Sequence, residues 1–567
     1  MQYQAQCLVP GSASGELLFS DLELSFWGGV DLYTGRVVDH HHPLCGTALS
    51  GHVLAIPSGR GSCSGSGALL ELLLSGLAPA ALVFQQAEDI LTLGVLVAKA
   101  VFEVSIPVVV LSHSEFRTLR GYKIAQIDGS RVVVSNEPVS LSPSLRQQPR
   151  AFPSVELSTR EEEILQGIYG PATQVAMKIL LSIAEIQGAD KLLDVTQAHI
   201  DACIYTGPAG LRFAQHLVSL GAKFAIPTTL NAISLDYRRW KELGIAEETA
   251  QPAQRLADAY MAMGAKMSFT CAPYLLESVP KKDEQIGWAE SNAVVFANSV
   301  LGARTQKYPD FLDVCIALTG RAPMSGCHRD ADRLPRSIVM LPSLEGLDDS
   351  MYPVLGYLIG ERVGPDVTLV CGLENAHPRI PDLKAFGAAF ATTASAPMFH
   401  IRGITPESAN VEHLASSLKH IIISNEDITA CRQRLNTATD CSLGLVSLGN
   451  PHFSLEEFAD LAGYCSQRRK HPKLKVIITT NRVIQEKAEK AGYLEVLASF
   501  GADIITDTCW CMLGEPVIPL DARNLMTNSA KYAHYAPGMV RRGVHFGSLA
   551  ECVDAACTGE FVVKEEP

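Results

Sequence analysis

Val53-Leu54-Ala55-Ile56-Pro57-Ser58-Gly59-Arg60-Gly61-Ser62-Cys63-Ser64-Gly65-Ser66-Gly67 decides how the chain is read. A short apolar strand, 53–57, runs through a Gly/Ser turn into a helix over residues 68–75. The glycines allow tight backbone, so N–H groups and hydroxyls converge on one spot beside a helix N-terminus. That suits an anion, or the exposure of one reactive serine; the alternative is a plain structural turn. No Lys-Ser/Thr pair ends the loop and the glycines lack dinucleotide-fingerprint spacing, so neither nucleotide motif applies.

Outward from this turn the pattern repeats. Residues 81–84 read as a strand, 90–101 as a helix, 108–111 as a strand, and 123–134 as a hairpin around Asp128-Gly129. From 136 to 158 the chain turns polar, with Pro138, Pro143, Pro149 and Pro153, and reads as a linker or as a surface loop within one domain. Beyond Thr159, helices are expected at 171–187, 208–220, 250–263, 454–462 and 482–500. Buried strands are expected at 367–371, 443–448, 475–480 and 503–506. Pro171 suits a first helical turn, and Ser454-Leu455-Glu456-Glu457 is a capping box. Such alternation predicts an α/β fold with largely parallel sheets.

With 567 residues, about four modules of roughly 150 residues are expected. Hydrophobic residues at 47% and charged residues at 19% exclude a mainly disordered chain. A net charge of −13 without a Lys/Arg block argues against nucleic acid or an anionic membrane as partner. The longest apolar region, 94–111, is broken by Lys99, Glu103 and Pro107, so no bilayer span is expected. Met1-Gln2-Tyr3-Gln4 does not open a signal peptide. Fifteen scattered cysteines, an odd number, predict reduced thiols in the cytoplasm, most of them buried as small apolar groups.

Four further segments carry chemistry. Thr270-Cys271-Ala272-Pro273-Tyr274 ends an expected strand at 265–269, and Thr506-Asp507-Thr508-Cys509-Trp510-Cys511 ends another. Both place cysteine at the carboxyl edge of a strand, where α/β folds collect ligand groups. Cys-x-Cys is not a zinc knuckle, and two such cysteines suit an open thiolate site for iron; singly, each reads equally as core. Glu290, Asn292, Asn298 and Arg304 flank the apolar run 293–297. They suggest a carboxylate clamp or a solvated helix face, with Arg321 and His328 as possible additions. Gly449-Asn450-Pro451-His452-Phe453-Ser454 follows a strand; Asn450 can ligate or hydrogen-bond, and His452 is structural or part of a site. His40-His41-His42 reads as loop.

Taken together and in order, these segments resemble the aconitase X family over nearly the whole chain. The resemblance implies an α/β, aconitase-like fold: a small swivelling β/α domain at 1–140, a linker at 141–158, and a large multi-module α/β/α catalytic region at 159–567. It implies a hydro-lyase acting on a small hydroxy-imino acid, converting cis-3-hydroxy-L-proline to Δ1-pyrroline-2-carboxylate. Dehydration of phosphomevalonate is the alternative, which fusion of both parts in one chain disfavours. A non-catalytic iron-responsive regulator is a third reading, which the negative charge disfavours. The implied cofactor is iron, as a [2Fe–2S] or [4Fe–4S] iron-sulfur cluster or a mononuclear ion, held by three cysteines with one position open. Cys271 and Cys509 match the family's ligands. Asn450 stands where many relatives carry cysteine, so the third ligand is open among Cys511, Cys203 and Cys327, with Asn450 as a neutral ligand or substrate contact. The implied base is Ser62, with Ser64 as second choice and Arg60 as support. Substrate contacts are expected from Ser66, Glu290, Asn292, Asn298, Arg304, Arg321 and His452. Closure of the swivelling domain is expected to bring base and metal together.

Overall fold

The structure is a computed structural model and describes residues 1–39, 42–60, 62–137, 155–344 and 346–561. His40, His41, Gly61 and residues 141–154 of the expected linker lie outside the described residues. The chain forms two compact units. One comprises Met1–Thr228, Asp258–Ala265 and Tyr308–Gly326; the other comprises Thr229–Ala257, Lys266–Lys307 and Cys327–Pro567.

In the first unit an eight-stranded sheet is built around Val53–Ile56, whose four side chains are all buried. Ser12–Phe19, Val53–Ile56, Ala81–Phe84 and Val108–Val110 run parallel, as continuous apolar strands covered on both faces tend to. The expected hairpin is present as Ile124–Asp128 and Arg131–Ser135, with Gly129 at φ 58°. Val53, Ala55, Val83, Val109, Phe116 and Ile127 form the core on one face. The helix after the Gly/Ser turn starts earlier than expected, at Gly65, and runs to Ser75. Gly76, at φ 74°, ends it by donating its N–H to the carbonyls of Leu72 and Leu73. Ser66 and Gly67 are thus helical and buried rather than loop residues.

The second unit carries two parallel sheets. In the larger the order is Ala502–Thr506, Lys475–Thr480, Leu445–Leu448, Asn524–Thr527, Gly543–Phe546. The smaller joins His400–Ile401, Thr368–Cys371, Ser337–Met340 and Lys419–Ile422. Because the strands are parallel, the segments after Leu448 and Thr506 leave by the same sheet edge.

Two expected elements differ. Residues 482–500 form two helices, Arg482–Lys490 and Tyr493–Phe500, because Gly492 takes a left-handed φ of 80°. Residues 265–269 form no strand. The Ser268 hydroxyl donates to the Leu230 carbonyl at 2.8 Å and accepts its N–H at 2.7 Å, replacing ladder bonds, and Phe269 turns the chain at φ 37°. No described helix is long and apolar enough to cross a membrane.

Candidate active site

Three turns of the second unit, two carrying thiols and one carrying Asn450 and His452, each begin on a residue with positive φ: Phe269 at 37°, Gly449 at 95° and Asp507 at 69°. For a residue with a Cβ this conformation costs on the order of 1–2 kcal/mol, so the surroundings must impose it. Asp507 is gripped by Arg482 through two bonds, Nε to Oδ1 at 2.8 Å and Nη2 to Oδ2 at 2.7 Å. The same guanidinium lies 5.9 Å from the Phe269 ring centre. At position 449 only glycine fits, since a Cβ would fall 2.2 Å from the Thr479 carbonyl oxygen. The Trp510 indole N–H donates to the Leu448 carbonyl at 2.7 Å and ties the last turn to the neighbouring strand end.

These turns bring Cys271, Cys509 and Cys511 together. The Cys509 thiol is in hydrogen-bonding contact with Cys271 and with Cys511, and contact with Cys271 is the main cause pushing its pKa up. Contact with Cys509 likewise holds the Cys511 thiol well above its ordinary range. All three are buried. The His452 backbone N–H donates to Cys271 Sγ at 3.3 Å, and Asn450 Nδ2 donates to Cys511 Sγ at 3.2 Å. Asn450 thus presents its amide N–H, not its oxygen, to the sulfur.

His452 has no ring nitrogen to offer a substrate. Nε2 donates to the Thr508 carbonyl at 2.7 Å, and Nδ1 accepts from the Thr270 hydroxyl at 3.1 Å. Burial lowers its pKa to about 4, so the ring is neutral and knits the three turns together. Lys384, buried and paired with Glu457, donates to the His452 carbonyl at 2.9 Å and fixes the same turn.

Glu290 and Asn292 flank the thiols. Asn292 donates to the Cys271 carbonyl at 3.0 Å and to the Glu290 carboxylate, and accepts from the Tyr274 hydroxyl at 2.8 Å. Glu290 caps its helix through the Ala293 N–H at 2.7 Å and pairs with Lys531 at 3.2 Å.

Lys531 escaped the sequence reading. Burial alone would lower its pKa, but Glu290 and the three thiols raise it well above the ordinary value, so it is a fixed cation. Its side chain keeps 16% of its surface accessible. The available signal was its place in the first turn of the helix Ala530–Val540, where a positive charge opposes the helix dipole.

The donor set fits an iron group, although among the described residues no three or more His, Cys, Asp or Glu side chains stand ready in coordination geometry. The fit rests on chemistry: three soft sulfurs are gathered, with the Cys509 thiol in contact with the other two; Cys271 pushes the Cys509 pKa up and Cys509 pushes that of Cys511 up, and a cation among them would reverse that effect.

Other expected residues are tied elsewhere. Arg304 pairs with Asp283 at 3.2 Å and Asp330 at 2.6 Å. Arg321, in the first unit, pairs with Glu161 at 3.1 Å and Asp194 at 2.6 Å. Asn298 donates to the carbonyls of Thr305 and Pro397 and accepts from the Thr305 N–H, each at 3.0 Å. His328 is buried and its pKa is lowered to about 3, first by burial. Cys327 packs on Val367 and Met398, and Cys203 lies in the first unit beside Asp201 and Asp313. Of the three candidates for a third thiol, only Cys511 is in contact with Cys509.

In the first unit, Ser62 is the partly exposed serine of the Gly/Ser turn, and its Oγ accepts the Ser64 N–H at 3.2 Å. Ser64 is 1% exposed. Ser66 is buried and donates to the carbonyls of Cys63 at 3.0 Å and Asp310 at 3.2 Å. Arg60 is held by Asp39 at 2.7 Å. Ser62 is therefore the partly exposed serine of the three, while Ser64 and Ser66 are interior.

Comparison with known proteins places this architecture. The aconitase X swivel-domain model matches residues 2–135, and the first-, second- and third-domain models match 154–331, 335–433 and 443–558. The cis-3-hydroxy-L-proline dehydratase of Hypocrea jecorina is 52% identical over 99% of this chain and 96% of its own length. That of Pseudomonas aeruginosa is 50% identical over 97% of this chain and 96% of its own. The phosphomevalonate dehydratase large subunit of Methanothermobacter thermautotrophicus is 35% identical over 68% of this chain and 94% of its own. The crystal structure of holo aconitase X from Thermococcus kodakaraensis aligns with a TM-score of 0.64 at 31% identity, over 71% of this chain and all of that one. The chain belongs to the aconitase X family.

Proposed function

We propose that this hydro-lyase dehydrates cis-3-hydroxy-L-proline. The α-proton and the 3-hydroxyl leave as water, and the resulting enamine tautomerises to Δ1-pyrroline-2-carboxylate. The observation that carries this reading is identity of 50–52% over nearly the full length to two relatives named for that reaction, with the swivel-domain segment included in the same chain. Relatives named phosphomevalonate dehydratase large subunit match only the larger part.

Membership of an aconitase-like family suggests iron-based catalysis, and Cys271, Cys509 and Cys511 are the residues that would hold the iron. A bound iron group would supply Lewis acidity where the hydroxyl leaves. Asn450 and the His452 N–H donate to the sulfurs and set their charge. Lys531, positioned by Glu290, receives the substrate carboxylate, a role expected of Arg304 or Arg321 from sequence. Ser62 takes the α-proton. Residues 1–140 act as the swivelling domain and 159–567 as the catalytic region.

The test is turnover by anaerobically purified, iron- and sulfide-reconstituted protein. Pyrroline-2-carboxylate from the cis isomer and none from trans-3-hydroxy-L-proline supports the reading. Iron-loaded protein that turns over phosphomevalonate and leaves the cis isomer untouched overturns it.

A further inference from the structure

We propose that Asp310 is a positioning residue for the serine base, holding the Ser62–Ser66 turn through its backbone and through a proton-bearing carboxyl directed at Ser64. The inference rests on the reading of Ser62 as base.

Asp310 is far from the turn in sequence but joined to it at two points. Its backbone N–H donates to the Cys63 carbonyl at 3.2 Å, and its carbonyl accepts the Ser66 hydroxyl at 3.2 Å. Neither group belongs to a regular ladder, so these bonds serve the turn alone. The residue that follows, Phe311, sits at φ 79°. A left-handed conformation is a real outlier for an aromatic residue and persists only when packing over-determines it. Here the Phe311 ring packs on Phe213 with 4.7 Å between ring centres. That strain turns Asp310 inward, just before the helix Leu312–Thr319 begins.

The side chains add a second observation. Ser64 precedes the helix Gly65–Ser75 but makes no capping bond. Its Oγ and Asp310 Oδ1 are both buried, and neither has a partner at hydrogen-bond distance. Two buried polar atoms without partners, facing one another, cost about 1–3 kcal/mol each unless they can bond. A carboxylate and a hydroxyl bond through the hydroxyl's proton; a neutral carboxyl bonds by donating its own.

The surroundings decide between these. The charged neighbours of Asp310 are Asp201, which shares a hydrogen bond with its carboxyl, and Asp313, with Cys203 close by. Asp313 already accepts the N–H groups of Asp201 at 2.7 Å, Ala202 at 3.2 Å and Val314 at 2.8 Å, so it takes the negative charge. Burial first, then Asp201 and Asp313, hold its pKa well above the ordinary carboxyl value. The Asp310 carboxyl is thus a donor to Ser64, whose N–H in turn donates to Ser62 Oγ.

Asp310→Asn keeps a neutral donor of the same shape, and Asp310→Ala removes it. Turnover by D310N is expected within about threefold of the parent. D310A is expected to lose about 10²-fold in kcat, the cost of a misplaced reacting group, with KM and iron content unchanged. In the Ser64→Ala background D310A should add no further loss. A D310N variant as impaired as D310A, or additive losses in the double variant, overturns the proposal.

Infrared pH titration provides a measurement independent of turnover. In an E88Q background, which removes the Glu88 contribution, the parent-minus-D310N difference spectrum at neutral pH should show a protonated-carboxyl component that is displaced in S64A; no such component, or one unaltered in S64A, contradicts the proposal even if the enzyme acts on another substrate. Unimpaired S62A, by contrast, would overturn the base assignment while leaving the band intact.

Discussion

The thiol turns of the second unit and the serine turn of the first solve opposite problems. Around Cys271, Cys509 and Cys511, groups that repel one another as anions are forced together, and three left-handed residues, Phe269, Gly449 and Asp507, hold them there. Around Ser62 a weakly acidic hydroxyl stays near the surface while carboxyl groups are buried behind the turn, with the strain displaced to Phe311. A metal-binding set needs its ligands crowded before the cation arrives. A base needs one group presented and its neighbours fixed.

The largest effect expected from this contrast is at the crowded site. Cys509→Ser should lose iron and turnover together, since the central thiol of the three is removed; retention of the visible iron chromophore would break the contrast. Ser62→Ala should lower kcat by about 10²–10⁴-fold, the range of a general base, with iron content unchanged. Loss of iron in S62A would make the turn structural. Lys531→Ala should raise KM about 10–100-fold, matching roughly 1.5–3 kcal/mol for a charged hydrogen bond, while Arg304→Ala stays within about threefold. A reversal of those two would return the carboxylate to Arg304.

A separate effect is on stability in the first unit. Glu88 is buried, accepts the Ile90 and Leu91 N–H groups, and its pKa is raised to about 8, first by burial and then by Asp89. The folded state therefore keeps a proton that the unfolded chain releases above about pH 4.5. Stability from this group is complete below that pH and falls as pH rises toward 8, by up to about 1.4 kcal/mol per unit. Glu88→Gln should flatten that slope in denaturant titrations; an unchanged slope would show Glu88 ionised.

Much of this was legible in the sequence because parallel α/β layers leave a local trace. Apolar runs predicted Val53–Ile56, Lys475–Thr480 and Leu445–Leu448, and turns after strands pointed to Cys271, Asn450 and Cys509. Cys511, Cys203 and Cys327 could not be ranked, because which thiol lies in contact with Cys509 is a tertiary fact: Cys511 shares its turn, Cys203 lies in the other unit and Cys327 packs on Val367 and Met398. Arg304 and Arg321 carry the right charge for a clamp, but exposed acids at Asp283, Asp330 and Asp194 occupy them, and sequence does not show partners so far apart. Lys531 and Asp310 lie outside any motif and gain meaning only from tertiary contacts. The break at Gly492 was locally written and overridden by the apolar period on either side.

The most direct test of the central claim is iron and sulfide content, with the visible and Mössbauer spectra, of five single cysteine-to-serine variants reconstituted side by side. The account predicts that C271S, C509S and C511S lose the iron group while C203S and C327S retain it with the parent spectrum. Full iron in C511S, or loss in C203S or C327S, would contradict it.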